Sequence, residues 1–132
     1  MIEKEKIFGL YTATEKDESE FSNNFELKIF QQNEDIKFEF IMKTLGNFGV
    51  VGKSWFGKGI FRSDHLALII EKECDWTFIK EDDETIEYTR DKNQILPIEI
   101  YTDEARVIVY HIDIDRYILL NKVKKENEEM KK

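Results

Sequence analysis

The residues in this chain that most resemble reactive machinery are Gly52-Lys53-Ser54. In a phosphate-binding loop these three close the pattern G-x-x-x-x-G-K-[ST], whose backbone N–H groups and lysine hold phosphate oxygens. Counting back, the first glycine belongs at position 47; that residue is Asn47, and the glycine stands one place early, at Gly46. Such a loop must also open a helix whose N-terminus faces the phosphate. The next residues are Trp55-Phe56-Gly57-Lys58-Gly59, with two glycines inside one turn and a poor helix start. The stretch Thr44–Arg62 holds five of the six glycines. It is therefore expected to form bent strands, with Gly49 or Gly52 at a bulge or strong bend, Trp55 packed near it and Lys53 reaching solvent. A helix beginning at Lys53 would contradict this expectation.

Other reactive types are sparse. Cys74 alternates with Trp76 and Phe78, as a packed strand residue does. His65 follows Ser63-Asp64 in a turn, and His111 shares the face of Val107 and Val109. A nucleophilic pair needs the thiol within reach of an imidazole, and nothing in the spacing asks for that. The two histidines lie 46 positions apart, and neither H-x-x-x-H nor D-x-D-x-D-G occurs. Asp113 and Asp115 fit a polar turn. The expectation is no metal, no cofactor and no catalytic constellation, hence not an enzyme.

Two sets of residues suit binding. Glu81-Asp82-Asp83-Glu84, with Glu87 just after, is the densest charge feature and suits the steering side of a protein interface. The amphipathic residues Trp55, Trp76 and Tyr88 suit the lining of a ligand pocket. Arg90 and Arg106 alternate with apolar neighbours, so either would serve an anionic ligand if it points inward.

The bulk properties narrow the field. The chain has 132 residues, the size of one domain able to bury its own core. Its net charge is −8, which argues against nucleic acid and anionic membrane surfaces, both of which need a concentrated basic face. The acidity suits a basic protein partner. No apolar run approaches the roughly 20 residues of a membrane span, and MIEKEKIFGLY contains no signal-peptide core. A single cysteine, Cys74, fits a reducing compartment, so a cytoplasmic location is expected, or a periplasmic or secreted one if a leader has been removed.

Period-2 alternation positions these residues. Ile7, Gly9, Tyr11 and Ala13 share a face; Phe25, Leu27 and Ile29 follow, then Ile36, Phe38, Phe40 and Met42. Leu66, Leu68 and Ile70 give another inward face; Cys74 then begins a strand in which Cys74, Trp76 and Phe78 alternate with Asp75 and Thr77. Lys80–Glu84, Asp91-Lys92-Asn93 and Thr102-Asp103-Glu104 read as turns, and Pro97 marks an edge or bulged strand. Arg106–Ile112 and Arg116–Val123 form a last hairpin. From Lys122 the pattern becomes KVKKENEEMKK, a charged helix or tail with almost no apolar face. The expected architecture is all-β: one antiparallel barrel of about 8–10 short strands over residues 1–121, with a C-terminal helix or tail over 122–132.

Gly9-Leu10-Tyr11 is similar to the G-x-W of small lipocalin-like (calycin) barrels, with Tyr in place of Trp. Gly52 to Gly59 followed by Leu66-Ala67-Leu68 resembles their glycine-bearing hairpin and L-x-L strand, and Arg116-Tyr117 resembles their closing basic–aromatic pair. The resemblance implies a binding role more than catalysis. Two expectations stand. One is a non-catalytic protein-binding module, of the immunity or antitoxin type, that blocks a basic partner through Glu81, Asp82, Asp83, Glu84 and Glu87. The other is a carrier holding a small apolar or anionic ligand among Trp55, Trp76, Tyr88, Arg90 and Arg106.

Overall fold

The computed structural model describes residues 4–16, 22–47, 49–62, 65–101, 105–111 and 116–123. After one helical turn, α1 (Lys4–Ile7), come nine strands: β1 (Gly9–Lys16), β2 (Ser22–Gln32), β3 (Asp35–Gly46), β4 (Gly49–Arg62), β5 (His65–Ile79), β6 (Glu84–Leu96), β7 (Ile98–Tyr101), β8 (Arg106–His111) and β9 (Arg116–Lys122). They form one sheet in the order β6-β5-β4-β3-β2-β1-β9-β8-β7, with every ladder antiparallel. The expected charged helix or tail beyond Val123 and the turn at 102–104 lie outside the described residues. No described helix is long and apolar enough to cross a membrane.

The two strands that end this order are consecutive in the chain, with only Pro97 between them. Proline has no N–H to give to a ladder. The chain leaves β5 at this point, and the Tyr110 N–H donates to the Pro97 carbonyl at 3.0 Å as pairing passes to β8. The sheet thus curls into a half-barrel whose two edge strands meet at one corner.

Inside the curl sit Tyr11, Phe25, Leu27, Ile29, Phe38, Phe40, Trp55, Leu68, Ile70, Val107, Val109, Ile118 and Leu120, all but sealed from solvent. Burying these side chains supplies the main folding drive, about 1.5–3 kcal/mol per large apolar side chain. Phe40 and Trp55, opposite each other in the β3–β4 register, stack with centroids 5.4 Å apart. On the outer face, Lys43–Glu26 at 3.1 Å and Lys28–Glu39 at 3.9 Å join β2 to β3.

Three boundaries differ from the sequence expectation. Ile7 does not continue the first strand; it is buried at the end of α1, and its carbonyl accepts the Tyr11 hydroxyl at 2.8 Å. Residues 91–93 form no turn, because β6 runs through them with a register shift opposite Glu71. The β4–β5 register shifts between Phe56 and Gly57, not at Gly49 or Gly52, and the extra residue belongs to β5. At Gly57 the strands approach so closely that an added Cβ would stand 1.8 Å from the Ile69 carbonyl oxygen. Gly52 has another use: the Trp76 indole lies flat on it, 2.1 Å from where a Cβ would be. Lys53 lies within an uninterrupted strand, so no phosphate loop is present.

Candidate interaction surface

The bulge decides which side chains of β5 face the core. Leu66, Leu68 and Ile70 point inward, and strict alternation would send Lys72, Cys74 and Trp76 after them. Glu71 is the extra residue: Ile70 pairs with Gly57, Lys72 with Phe56 and Glu73 with Trp55. Since Trp55 faces the core, Glu73 and Asp75 face it too, while Cys74 and Trp76 turn to the other side. Cys74 is buried as expected, but on that opposite face beside Ser54, whose hydroxyl accepts the Trp76 Nε1–H at 3.1 Å.

Following register across the sheet gives one inner row, Tyr11–Leu27–Phe40–Trp55–Glu73–Arg90. The row begins apolar and ends in charge. Glu73 is only 3% exposed, and its partners explain how a carboxylate is tolerated there. Trp55 Nε1–H donates to Oε2 at 2.7 Å and Lys53 Nζ lies 3.8 Å from the same oxygen. Arg90 bonds Oε1, and Lys92 Nζ is 3.8 Å away. Arg90 also holds Asp75 Oδ2 at 2.7 Å, with Lys53 3.7 Å from Oδ1. The Asp75 hydrogen bond, with Glu73 adding to it, pushes the Arg90 guanidinium above the ordinary arginine value. Lys53, expected in solvent, is instead folded over the Trp55 ring, 5.6 Å from its centroid. With both oxygens engaged by cations and an indole N–H, Glu73 is suited to anchoring β6 against β4.

The next two inner rows emerge from the core. They read Met42–Lys53–Asp75–Tyr88 and Thr44–Val51–Thr77–Ile86. Tyr88 is 65% exposed, Ile86 55% and Val51 44%. Arg90 lies over the Tyr88 ring at 5.6 Å. These apolar side chains stand on the concave face just beyond the charged network. The hairpin tip comes immediately after: Lys80 to Asp83, all exposed, with Asp83 at φ 49° and its N–H reaching Lys80 O at 3.4 Å. Glu81, Asp82, Asp83 and Glu84 therefore cluster at the end of the exposed face. Glu87 pairs in register with Trp76 and points to the other face.

The five residues expected to line a ligand pocket divide between places. Trp55 lies in the core; Tyr88 and Arg90 lie on the exposed continuation of its face. Trp76 is on the opposite face of β5. Arg106 is on the face of β8 opposite Val107 and Val109, with four strands between β8 and β4 in the sheet order. Val51, Ile86 and Glu73 are not among the sequence-derived candidates. Val51 and Ile86 read in sequence as inward strand residues, and Glu73 is hidden by the bulge. A second exposed apolar group occupies the outer face of β8–β9, where Tyr110 and Tyr117 pair at 5.2 Å beside Leu119. Among the described residues no group of three or more His, Cys, Asp or Glu side chains is placed to hold a metal ion. Comparison with known families, curated proteins and solved structures gives no match.

Proposed function

We propose that this domain is a non-catalytic protein-binding module that uses the β5–β6 hairpin to cover a basic, apolar-centred surface of a partner, in the manner of an immunity-type steric blocker. The observation that carries the reading is the group Val51, Ile86 and Tyr88 on the concave face, with Ile86 and Tyr88 two residues apart on β6 and Val51 across Thr77 from Ile86, all exposed and bordered by Glu81–Glu84. Tyr and Arg are the residue types that most often anchor interfaces, and Tyr88 with Arg90 over its ring is such a pair. The acidic tip supplies long-range attraction, which acts mainly on the association rate. The carrier alternative needs interior room, and at the level of Trp55 that room is taken by Tyr11, Leu27, Phe40 and Trp55 themselves.

The test is capture of partners from native extract on immobilised wild-type protein, followed by kinetics with the purified partner. Ile86→Asp and Tyr88→Ala should each lose the partner, and Tyr117→Ser should retain it. Reversing Glu81, Asp82, Asp83 and Glu84 to lysine should slow association about tenfold at low salt and flatten its salt dependence. A partner held equally by all variants would reject this surface. Saturable quenching of tryptophan fluorescence by a fatty acid would favour the carrier.

A further inference from the structure

We propose that a second copy of this chain adds to the free edge of β6, antiparallel, with Tyr88 opposite Tyr88 across a two-fold axis. Strand β6 ends the sheet order, so only its β5 side is laddered among the described residues. An edge strand offers a row of unpaired N–H and C=O groups, the template for strand addition. Edges are usually covered or very short; this strand runs 13 residues and is exposed along nearly all of them.

Its charges select the occupant. A two-fold axis perpendicular to the sheet keeps core-side faces together, so inner residues must meet inner residues. Centred on Tyr88, Glu84 meets Lys92 twice and the Ile86 side chain meets the aliphatic stem of Arg90 twice. On the other face Thr85 meets Asp91 and Glu87 meets Thr89. No like charges oppose each other. Centring on Thr89 sets Glu87 against Asp91 twice, and centring on Glu87 sets it against itself, arrangements that destabilise a sheet pair. The charges that guard this edge against other strands thus complement a second copy. Edge pairing uses backbone groups and leaves Ile86, Tyr88 and Val51 on the open face. The edge can therefore pair whether or not that face binds a partner protein.

Sedimentation velocity over a concentration series tests it. A single added ladder is a small interface, so dissociation on the order of 10 μM is expected. Glu84→Lys and Lys92→Glu should each weaken association at least tenfold, and the two together in one chain should restore it. Tyr88→Cys, at an exposed site, should give a disulfide-linked dimer under mild oxidation, and Thr85→Cys should not. A monomer at every concentration, a dimer indifferent to the single reversals, or equal cross-linking at both positions would overturn the proposal.

Discussion

Trp55 donates its indole N–H to the Glu73 carboxylate at 2.7 Å, across one register pair of β4 and β5. That bond lets a buried acid sit in an aromatic row, and it fixes the ring against which Phe40 stacks. Removing Glu73 would leave Trp55 Nε1 without its acceptor and Arg90 and Lys53 short of one counter-charge, although both keep Asp75. Glu73→Ala is expected to destabilise by about 3 kcal/mol, the low end of the range for breaking a buried pair, because Arg90 and Lys53 keep Asp75. Glu73→Gln, which retains an acceptor, should cost about half as much. Urea unfolding followed at the tryptophans measures both, and equal losses would mean that the indole bond contributes nothing.

The same pair shows how far the sequence could be read. Alternation at Phe25–Ile29, Ile36–Met42 and Leu66–Ile70 marks the core faces and the all-β class, because period 2 is a property of each strand alone. Alternation cannot reveal that Glu71 is an extra residue, since a bulge is defined against its neighbours. The strand partner of Ile70 is Gly57, whose missing side chain lets the β5 backbone at Ile69 and the Phe38 ring come close. Simple alternation therefore puts every downstream residue of β5 on the wrong face: Cys74 and Trp76 inward, Glu73 and Asp75 outward. The run Asp91-Lys92-Asn93 has turn composition but lies within β6, where pairing with β5 overrides local preference. The exposed residues Val51 and Ile86 escape notice for a related reason. An apolar residue at an inward position reads as core, and only the assembled sheet shows that the core stops before it.

The glycines of β4 yield a graded prediction. At Gly57 a methyl group would meet the Ile69 carbonyl oxygen, part of a laddered backbone that cannot step aside. At Gly52 it would meet the Trp76 ring, a side chain that can swing away at the loss of its bond to Ser54. Gly57→Ala should therefore cost about 3 kcal/mol or more and Gly52→Ala about 1–2 kcal/mol, as overpacked sites do. Gly52→Ala should also shift tryptophan emission to the red as Trp76 enters solvent. The reverse order of stability loss would show that the bulge yields more easily than the indole.

Glu15 and Arg116 form a two-pronged ion pair near the β1–β9 seam, with Arg116 Nη1 at 2.9 Å from Oε2 and Nη2 bonded to Oε1. The Arg116 hydrogen bond holds the Glu15 carboxyl below its ordinary range. A lowered carboxylate pKa adds stability above the unfolded value, which is lost as pH falls through the folded one. Both side chains are well exposed, so Arg116→Ala should cost under about 1 kcal/mol at pH 7. The difference from wild type should vanish at acid pH. Thermal unfolding of both proteins across pH 3–7 decides it, and a gap that persists at the acid end would point to packing instead of charge.

Tyr11 gives the opposite pH dependence. Its hydroxyl donates to the Ile7 carbonyl at 2.8 Å inside the core, and burial pushes its pKa from 10.0 up to about 12. The folded state therefore binds this proton more tightly than the unfolded chain. The associated stability is complete below about pH 10 and is lost as pH rises through about 12, a loss of about 2–3 kcal/mol. Lys122, whose ammonium lies 5.9 Å from the Tyr11 ring, donates to the Lys6 carbonyl at 2.8 Å beside it. Tyr11→Phe tests this, because it keeps Lys122 and removes the phenol. At neutral pH it should cost about 1 kcal/mol for the lost hydrogen bond. Between pH 10 and 12 its stability should fall less steeply than that of the wild type, so that the two curves converge. Parallel curves over that interval would leave the Tyr11 hydroxyl a purely structural contact with α1.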